Sequence, residues 1–359
     1  MKIGIDISQI VYGTGVSYYT KELVRKLLEI DNEDNFILFG GSLRNQHILR
    51  QFTLSLKGNL EVKILPFSPS IADFIWNRIH RLKVEKLIGK IDVFHSSDWA
   101  QPPTNAFKIT TVHDLAPLRF PKLTDPRIVA VHSRRLYWVV READRIIVPS
   151  KSTKKDLIEI GGKEEKIIVI PEAVGEVFKP ENEEKIRAVK TRYRISGDYI
   201  MTVGYGGRKN TKRLIEAYQK TKRKNLKLVI VGGLKKNSLE RGIIYTGYVS
   251  DSDLASLYSG AKGLVYPSLY EGFGLPILQA FACECPVVTS NTSCFPEMAG
   301  EAAVLVNPED VSSIVEGIEE ILKRPREWIK KGEKRVKEFS WEKTASTTLK
   351  VYKESLSKL

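Results

Sequence analysis

What most constrains this chain is an alternation of strand and helix that runs once, pauses at a proline-bounded connection, and begins again. In the first half, short apolar runs fit strands at residues 2–7, 36–39, 60–65, 93–95, 109–112, 145–148 and 167–170. Helical periodicity separates them at 16–30, 71–88, 126–142 and 153–160, with Ser152 as the expected cap of the last and Gly89 as the stop of the second. The stretch 171–180 holds two prolines and reads as an interdomain connection. Strand-like runs then recur at 199–203, 227–231, 243–246, 264–266, 287–289 and 303–306. Helices fit 211–221, 253–259, 276–282, 311–322 and 341–355. Such alternation implies parallel sheets with crossover helices, and 359 residues suffice for two of them. The expected class is therefore α/β, with two Rossmann-like domains facing across a cleft and ligands beyond the strand carboxyl ends.

Composition narrows the partners. The net charge of +14 is spread, with 26 basic and 20 acidic residues up to residue 175 and 31 and 23 beyond it. No basic arm or nucleic-acid motif accompanies that excess, so an anionic substrate or lipid suits it and nucleic acid does not. No apolar run reaches the ~18 residues of a spanning helix. Met1-Lys2 leads directly into the first strand, which gives no expectation of a signal peptide. Three cysteines, Cys283, Cys285 and Cys294, are an odd set expected to be reduced thiols in the cytoplasm. Cys283-Glu284-Cys285 lacks a second pair of zinc ligands and reads as core packing.

The stretch from Tyr266 to Gln279 carries the most chemistry. A buried strand ends at Tyr266, Pro276 suits the first turn of a helix, and Glu271-Gly272-Phe273-Gly274 lies between. Glycines there let backbone approach a ligand and aim helix N–H groups at an anion. A carboxylate repels phosphate, so Glu271 suits neighbouring hydroxyls, and phosphate beside hydroxyls describes a nucleotide-sugar. Earlier, Gly204-Tyr205-Gly206-Gly207-Arg208-Lys209 follows a strand and opens a helix, a cationic clamp for a diphosphate. Gly13-Thr14-Gly15 makes a similar turn after the first strand, though without the third glycine of a dinucleotide fingerprint. His113-Asp114 ends another strand where ligands collect, although neighbouring side chains often diverge. Asp251-Ser252-Asp253 precedes a helix and reads as capping rather than metal binding, and no metal is expected.

These motifs, in this order, resemble the retaining, nucleotide-sugar-dependent glycosyltransferases of family 4, the group 1 enzymes of GT-B architecture. The resemblance runs from Gly13–Val16 through Val112–Leu115, Val148–Ser150, Val203–Asn210, Gly247–Ser250 and Glu271–Pro276. It continues over Ala282-Cys283, Pro286–Val288, Pro296-Glu297 and Phe339–Trp341. The wording from His113 to Pro121 is most similar to mannosyltransferase-type members that serve cell-envelope polysaccharide biosynthesis.

The resemblance implies an acceptor domain over 1–172, a nucleotide-sugar domain over 173–340, and a last helix, 341–359, packed back on the first. It implies that Glu271 bonds donor-sugar hydroxyls while Gly272, Phe273, Gly274 and Leu275 offer amides to sugar or phosphate. Arg208 and Lys209 would bind the diphosphate, Val249 and Leu254 border the base, His113 sit at the reaction centre, and Gly13 and Gly15 approach the phosphates. Two departures stand out. Gln279 replaces the second glutamate of the family's pair, which bonds ribose, and the turn before Arg208 is about one residue short, with Tyr205 where some members are basic. The implied reaction is transfer of a hexosyl group to a hydroxyl of a glycan or lipid-linked acceptor, without a cofactor. A nucleotide-sugar epimerase and a non-catalytic GT-B subunit are the alternatives. The apolar, aromatic and basic segment 74–83 could lie on the inner face of a membrane, but an ordinary helix packed on the first sheet is the favoured reading.

Overall fold

The computed structural model describes residues 1–221, 223, 225–233 and 242–358. Among these, thirteen strands form two sheets. The first contains β1 (Lys2–Asp6), β2 (Asn35–Gly41), β3 (Leu60–Leu65), β4 (Val93–Ser96), β5 (Phe107–Thr111), β6 (Arg145–Val148) and β7 (Ile167–Val169). The second contains β8 (Asp198–Val203), β9 (Leu226–Val231), β10 (Ile243–Gly247), β11 (Gly263–Tyr266), β12 (Val287–Ser290) and β13 (Val304–Val306). Their orders are β3-β2-β1-β4-β5-β6-β7 and β10-β9-β8-β11-β12-β13, and every named pairing is parallel.

Burial follows from topology. Central strands such as β5 and β11 are covered on both faces and all their residues are buried; β11 is written as an apolar run, whereas β5 also buries Lys108, Thr110 and Thr111. β3 lies at an edge, and Glu61, Val62 and Lys63 stay exposed. In each sheet the chain direction of the strand order reverses beside the first strand, between β1 and β4 and between β8 and β11. Those switch points open crevices at the strand carboxyl ends.

The chain divides into two compact units, Met1–Glu172 with Ser340–Leu359, and Ala173–Phe339. The helix Trp341–Lys353 lies with the first unit. The Tyr18 and Tyr19 rings of the helix Gly15–Ile30 meet the Trp341 ring, and the Thr344 hydroxyl donates to the Pro171 carbonyl at 2.7 Å. In the second unit Cys283, Cys285 and Cys294 are free thiols buried in the core beside Tyr258, Phe281 and Phe295.

Three local expectations need correction. The helix expected over 71–88 is instead Pro69–Ala72, a wide π turn over Asp73–Arg78, and a short helix Glu85–Ile88. Between them His80 and Leu82 take left-handed backbone, φ 52° and 64°. Side chains enforce this break: the Trp76 indole donates to the Leu82 carbonyl at 3.0 Å, and His80 stacks on Trp138 at 3.6 Å. Ser150, not Ser152, caps the helix Lys151–Glu159, its hydroxyl accepting from the Thr153 N–H at 3.1 Å. Ser250 rather than an aspartate caps Asp251–Gly260 in the same way. Sequence periodicity also missed the helices Gln46–Leu54, Glu183–Arg192 and Pro325–Val336, whose buried stripes are thin.

Candidate functional site

The second sheet assembles a charged cluster at its switch point. β8 runs into the turn Gly204–Asn210, and β11 runs into Pro267–Gly274, so Arg208, Lys209 and Glu271 arrive from neighbouring strand ends. The Glu271 carboxylate accepts from Lys209 Nζ at 2.5 Å, Arg208 Nη1 at 2.9 Å, Ser268 Oγ at 3.0 Å and Tyr266 OH at 3.1 Å. Burial works to raise the Glu271 pKa, but the two cations and their hydrogen bonds outweigh it and hold it at about 2. Arg208 also donates to the Tyr270 carbonyl at 2.6 Å, and Lys209 to Tyr266 OH at 2.6 Å. Two fixed cations against one carboxylate leave one net positive charge.

Local backbone explains why these groups meet. Gly204 has φ 89°, and a Cβ there would lie 2.9 Å from Lys209 Cε, so only glycine lets the lysine lie across the turn. Gly274 takes φ 86° as the N-cap of the helix Leu275–Ala282, with Pro276 in its first turn. The Ser293 hydroxyl pins Glu271 from the other side, accepting from its N–H at 3.2 Å and donating to its carbonyl at 2.7 Å. Asn210 locks the turn below by donating to the Pro267 and Pro308 carbonyls.

The remaining residues expected at the donor site lie in the second unit. Gly272, Phe273, Gly274 and Leu275 form the turn and helix start; Phe273 is buried edge-on against Phe339. Val249 and Leu254 are buried at the start of the helix Asp251–Gly260. Gln279 is 8% exposed, and its Oε1 accepts from Tyr258 OH at 3.3 Å, which turns the amide nitrogen away from that hydroxyl. Asp253 is held by Arg192 at 2.6 Å and by Tyr193 OH at 2.7 Å.

His113, Gly13 and Gly15 belong to the first unit. Gly13 has φ 63°, and a Cβ on either glycine would meet nothing within 4 Å, so the turn is open to a ligand. His113 follows β5 and takes its partner from 59 residues away: Nδ1 bonds Glu172 Oε1 at 3.1 Å. Burial opposes protonation of His113, yet the Glu172 bond and charge prevail and raise its pKa. Asp114 points elsewhere, accepting from the Ala116 N–H at 2.9 Å. The Tyr19 ring lies edge-on to His113 at 4.6 Å. Beneath them His95 joins Tyr352 OH at 2.7 Å and Thr111 Oγ1 at 2.9 Å, and burial drives its pKa to about 3, leaving it neutral.

Sequence reasoning did not find Tyr266, Ser268 or Ser293 around Glu271, nor Glu172 beside His113. It also missed Arg135, 1% exposed in its side chain, which bonds the Ser97 and Thr111 carbonyls and lies 3.2 Å from Asp98. Tyr266 and Ser268 lay inside the informative stretch and were legible as strand-end polar residues. Glu172 and Arg135 depend on strand order and had no local signal.

Residues 168–338 match the family of glycosyl transferases group 1, and residues 13–175 match glycosyltransferase family 4. The chain is 29% identical to the O-antigen chain mannosyltransferase B of Escherichia coli over 381 residues, covering 98% of this chain and 100% of that protein. It is 31% identical over 236 residues to the serotype-specific mannosyltransferase WbdA of Escherichia coli, covering 60% of this chain but only 29% of that longer protein. The structure superposes on the sucrose-phosphate synthase of Thermosynechococcus elongatus with a TM-score of 0.75 and 18% identity, over 100% of both chains, a likeness of fold alone.

Proposed function

We propose, for a chain that belongs to the group 1 glycosyltransferases and has their GT-B fold, transfer of a mannosyl group from a nucleotide diphosphate sugar. The acceptor is a hydroxyl of a glycan or lipid-linked glycan, and the anomeric configuration is retained. The observation that carries this reading is the Glu271 carboxylate held ionised between Arg208 and Lys209 at a helix start. Arg208, Lys209 and the N–H groups of the helix Leu275–Ala282 receive the diphosphate, while Glu271 turns to the hydroxyls of the sugar. The acceptor oxygen bonds to the anomeric carbon as the bond to phosphate breaks. The electron pair leaves on the phosphate oxygen, and that oxygen takes the acceptor proton on the same face. Glu271 orients the sugar and does not attack it. His113, held by Glu172, keeps its other ring nitrogen for a hydroxyl of a ligand at the first unit.

The positive charge needed at the leaving group comes from side chains, so the reaction needs no metal and a chelator leaves its rate unchanged. Among the described residues no helix is long and apolar enough to cross a membrane. We place the enzyme in the cytoplasm, working at the inner membrane face on its lipid-linked acceptor. The test is thermal unfolding with GDP-mannose, UDP-glucose or UDP-GlcNAc. GDP-mannose should raise Tm by mass action, about 2.7 kcal/mol of stabilisation at a hundredfold excess over Kd. No shift with any donor overturns the reading.

A further inference from the structure

The broken segment between Pro69 and Lys83 is an unusual surface. Between Glu61 and Glu85 the only acidic residue is Asp73, and that carboxylate is buried. Apart from Ser70, the exposed side chains are apolar or basic: Pro69, Ile71, Phe74, Ile79 and Leu82, with Arg78, Arg81 and Lys83. Phe74 is 55% exposed and Ile79 46%. Large apolar side chains exposed to water are costly, and the cations beside them make the rim predominantly positive, the part-buried Glu142 being paired with His80 and Lys108.

The conformation that displays them is enforced from below. Two non-glycine residues, His80 and Leu82, sit in left-handed backbone beside a π turn, a combination kept only where surroundings over-determine it. The His80 ring is clamped between Trp138, stacked at 3.6 Å and 8°, the Trp76 carbonyl at 2.7 Å and Glu142 at 2.8 Å. The Trp138 indole donates to the Asn77 carbonyl at 2.8 Å. Locked this way, Ile79 and Leu82 stay outside the core although their neighbours Trp76 and Val84 are buried.

Beside the apolar residues runs an open groove lined by Asn77, Arg78, Ser133, Arg134, Tyr137 and Trp138. Arg134 bonds both oxygens of Asp73, at 3.1 and 2.6 Å, and Arg78 approaches the same carboxylate at 3.3 Å. Two guanidinium groups on one buried carboxylate leave a net positive charge at the groove. Arg141 lies over the Tyr137 ring at its margin. A fork of arginine donors beside a hydroxyl matches a phosphate ester.

We propose that this face docks on an anionic phospholipid bilayer, with Ile71, Phe74, Ile79 and Leu82 entering the headgroup boundary and a lipid phosphate seated at Arg78 and Arg134. Arg81 and Lys83 contact further headgroups. The proposal rests on the lipid-linked acceptor reading for its purpose, while the contact itself depends only on this surface. It gives the membrane contact a fixed, preorganised edge rather than an amphipathic helix that folds on lipid.

The experiment is co-sedimentation of the full chain with phosphatidylcholine vesicles, with and without phosphatidylglycerol, at low and high salt. Binding is expected only with phosphatidylglycerol and should weaken as salt rises. Arg78→Gln and Arg81→Gln should each lower the vesicle partition about fivefold. Phe74→Ser with Ile79→Ser should lower it at least about tenfold. All four positions are exposed, so unchanged unfolding temperatures identify the losses as surface effects. Equal binding to neutral vesicles, no binding, or wild-type binding by Phe74→Ser/Ile79→Ser overturns the proposal. Donor stabilisation measured on the same samples separates the two readings: lost vesicle binding with intact donor stabilisation sinks this one alone, and the reverse sinks the transferase reading alone.

Discussion

The two sheets place polar clusters at the same topological position and fill them with opposite chemistry. Beyond β8 and β11 stand two fixed cations and a carboxylate held near pKa 2. Beyond β1, β4 and β5 stand a histidine raised by its glutamate, a neutral histidine, and Asp6, whose carboxyl burial pushes above the usual range. Parallel topology decides where a ligand can lie, since strand order reverses at both places. Residue type then decides what binds there. A surplus of cations suits a diphosphate, and a histidine–carboxylate pair suits hydroxyls and protons. The difference teaches that one architecture, used twice, can present cations at one switch point and a histidine–carboxylate pair at the other.

The largest expected effect comes from emptying the cationic side. Lys209→Ala removes the group that meets both Glu271 and Tyr266, and transfer should fall by about 10²–10³-fold while the protein, destabilised but with Arg208 still paired to Glu271, remains folded. Near-wild-type kcat would break the comparison, because the second cluster would then be structural. Glu271→Gln comes next and probes the same ion pairs from the opposite end. The carboxylate competes with a diphosphate for the two cations, so its neutral isostere should bind GDP more tightly while transfer falls on the order of 10²-fold. Isothermal titration beside initial rates would show it. If binding and rate fall together, Glu271 does not compete with the diphosphate for the two cations.

A smaller effect is expected on the first sheet, where the pair is a histidine and a glutamate. Glu172→Gln keeps a hydrogen-bond acceptor but removes the charge that raises His113. Because the His113 pKa is raised in the folded protein, the pair's stabilisation is full below the ordinary histidine value of about 6.5 and is lost as pH climbs through the raised value. The variant should lose that extra stability at acid pH, and the alkaline limb of its rate profile should move to lower pH. The rate at the optimum should change by about tenfold or less. An unmoved pH profile would remove His113 from the chemistry and leave it a structural contact.

The contrast was unequally legible in the sequence. All thirteen strand positions were legible, most because buried parallel strands are written as short apolar runs, while the edge strand β3 alternates apolar and charged residues; errors were confined to the ends. Arg208, Lys209 and Glu271 were legible because glycine turns and charge sit together in the chain. The His113 partner was not, since adjacency pointed to Asp114 and only the strand order brings Glu172 to Nδ1. The break after Arg78 was invisible for a related reason. The segment 71–88 has helical periodicity, and what interrupts it is Trp138, on a helix some 60 positions later whose ring captures His80. Long-range side-chain contacts outweighed local propensity in both cases.

Gln279 carries the smallest expected effect and bears on the second cluster alone. In a glutamate at this place both oxygens would accept, one from Tyr258 OH and one from a ribose hydroxyl. In Gln279 the single amide oxygen is turned to Tyr258 OH at 3.3 Å, so the amide nitrogen, a donor, is what remains for a ligand. A ribose hydroxyl can accept from that nitrogen, but the charge-assisted part of the bond is absent, worth about 1 kcal/mol. Gln279→Glu should therefore tighten GDP binding by about fivefold and leave kcat nearly unchanged, since ribose lies remote from the breaking bond. The same change places a carboxylate in a site 8% exposed, and the unliganded protein should lose stability at neutral pH and recover it as the group protonates in acid. A gain in affinity together with that pH-dependent loss would fix ribose beside this helix. Unchanged affinity would mean that the nucleotide lies elsewhere along the carboxyl ends of the second sheet.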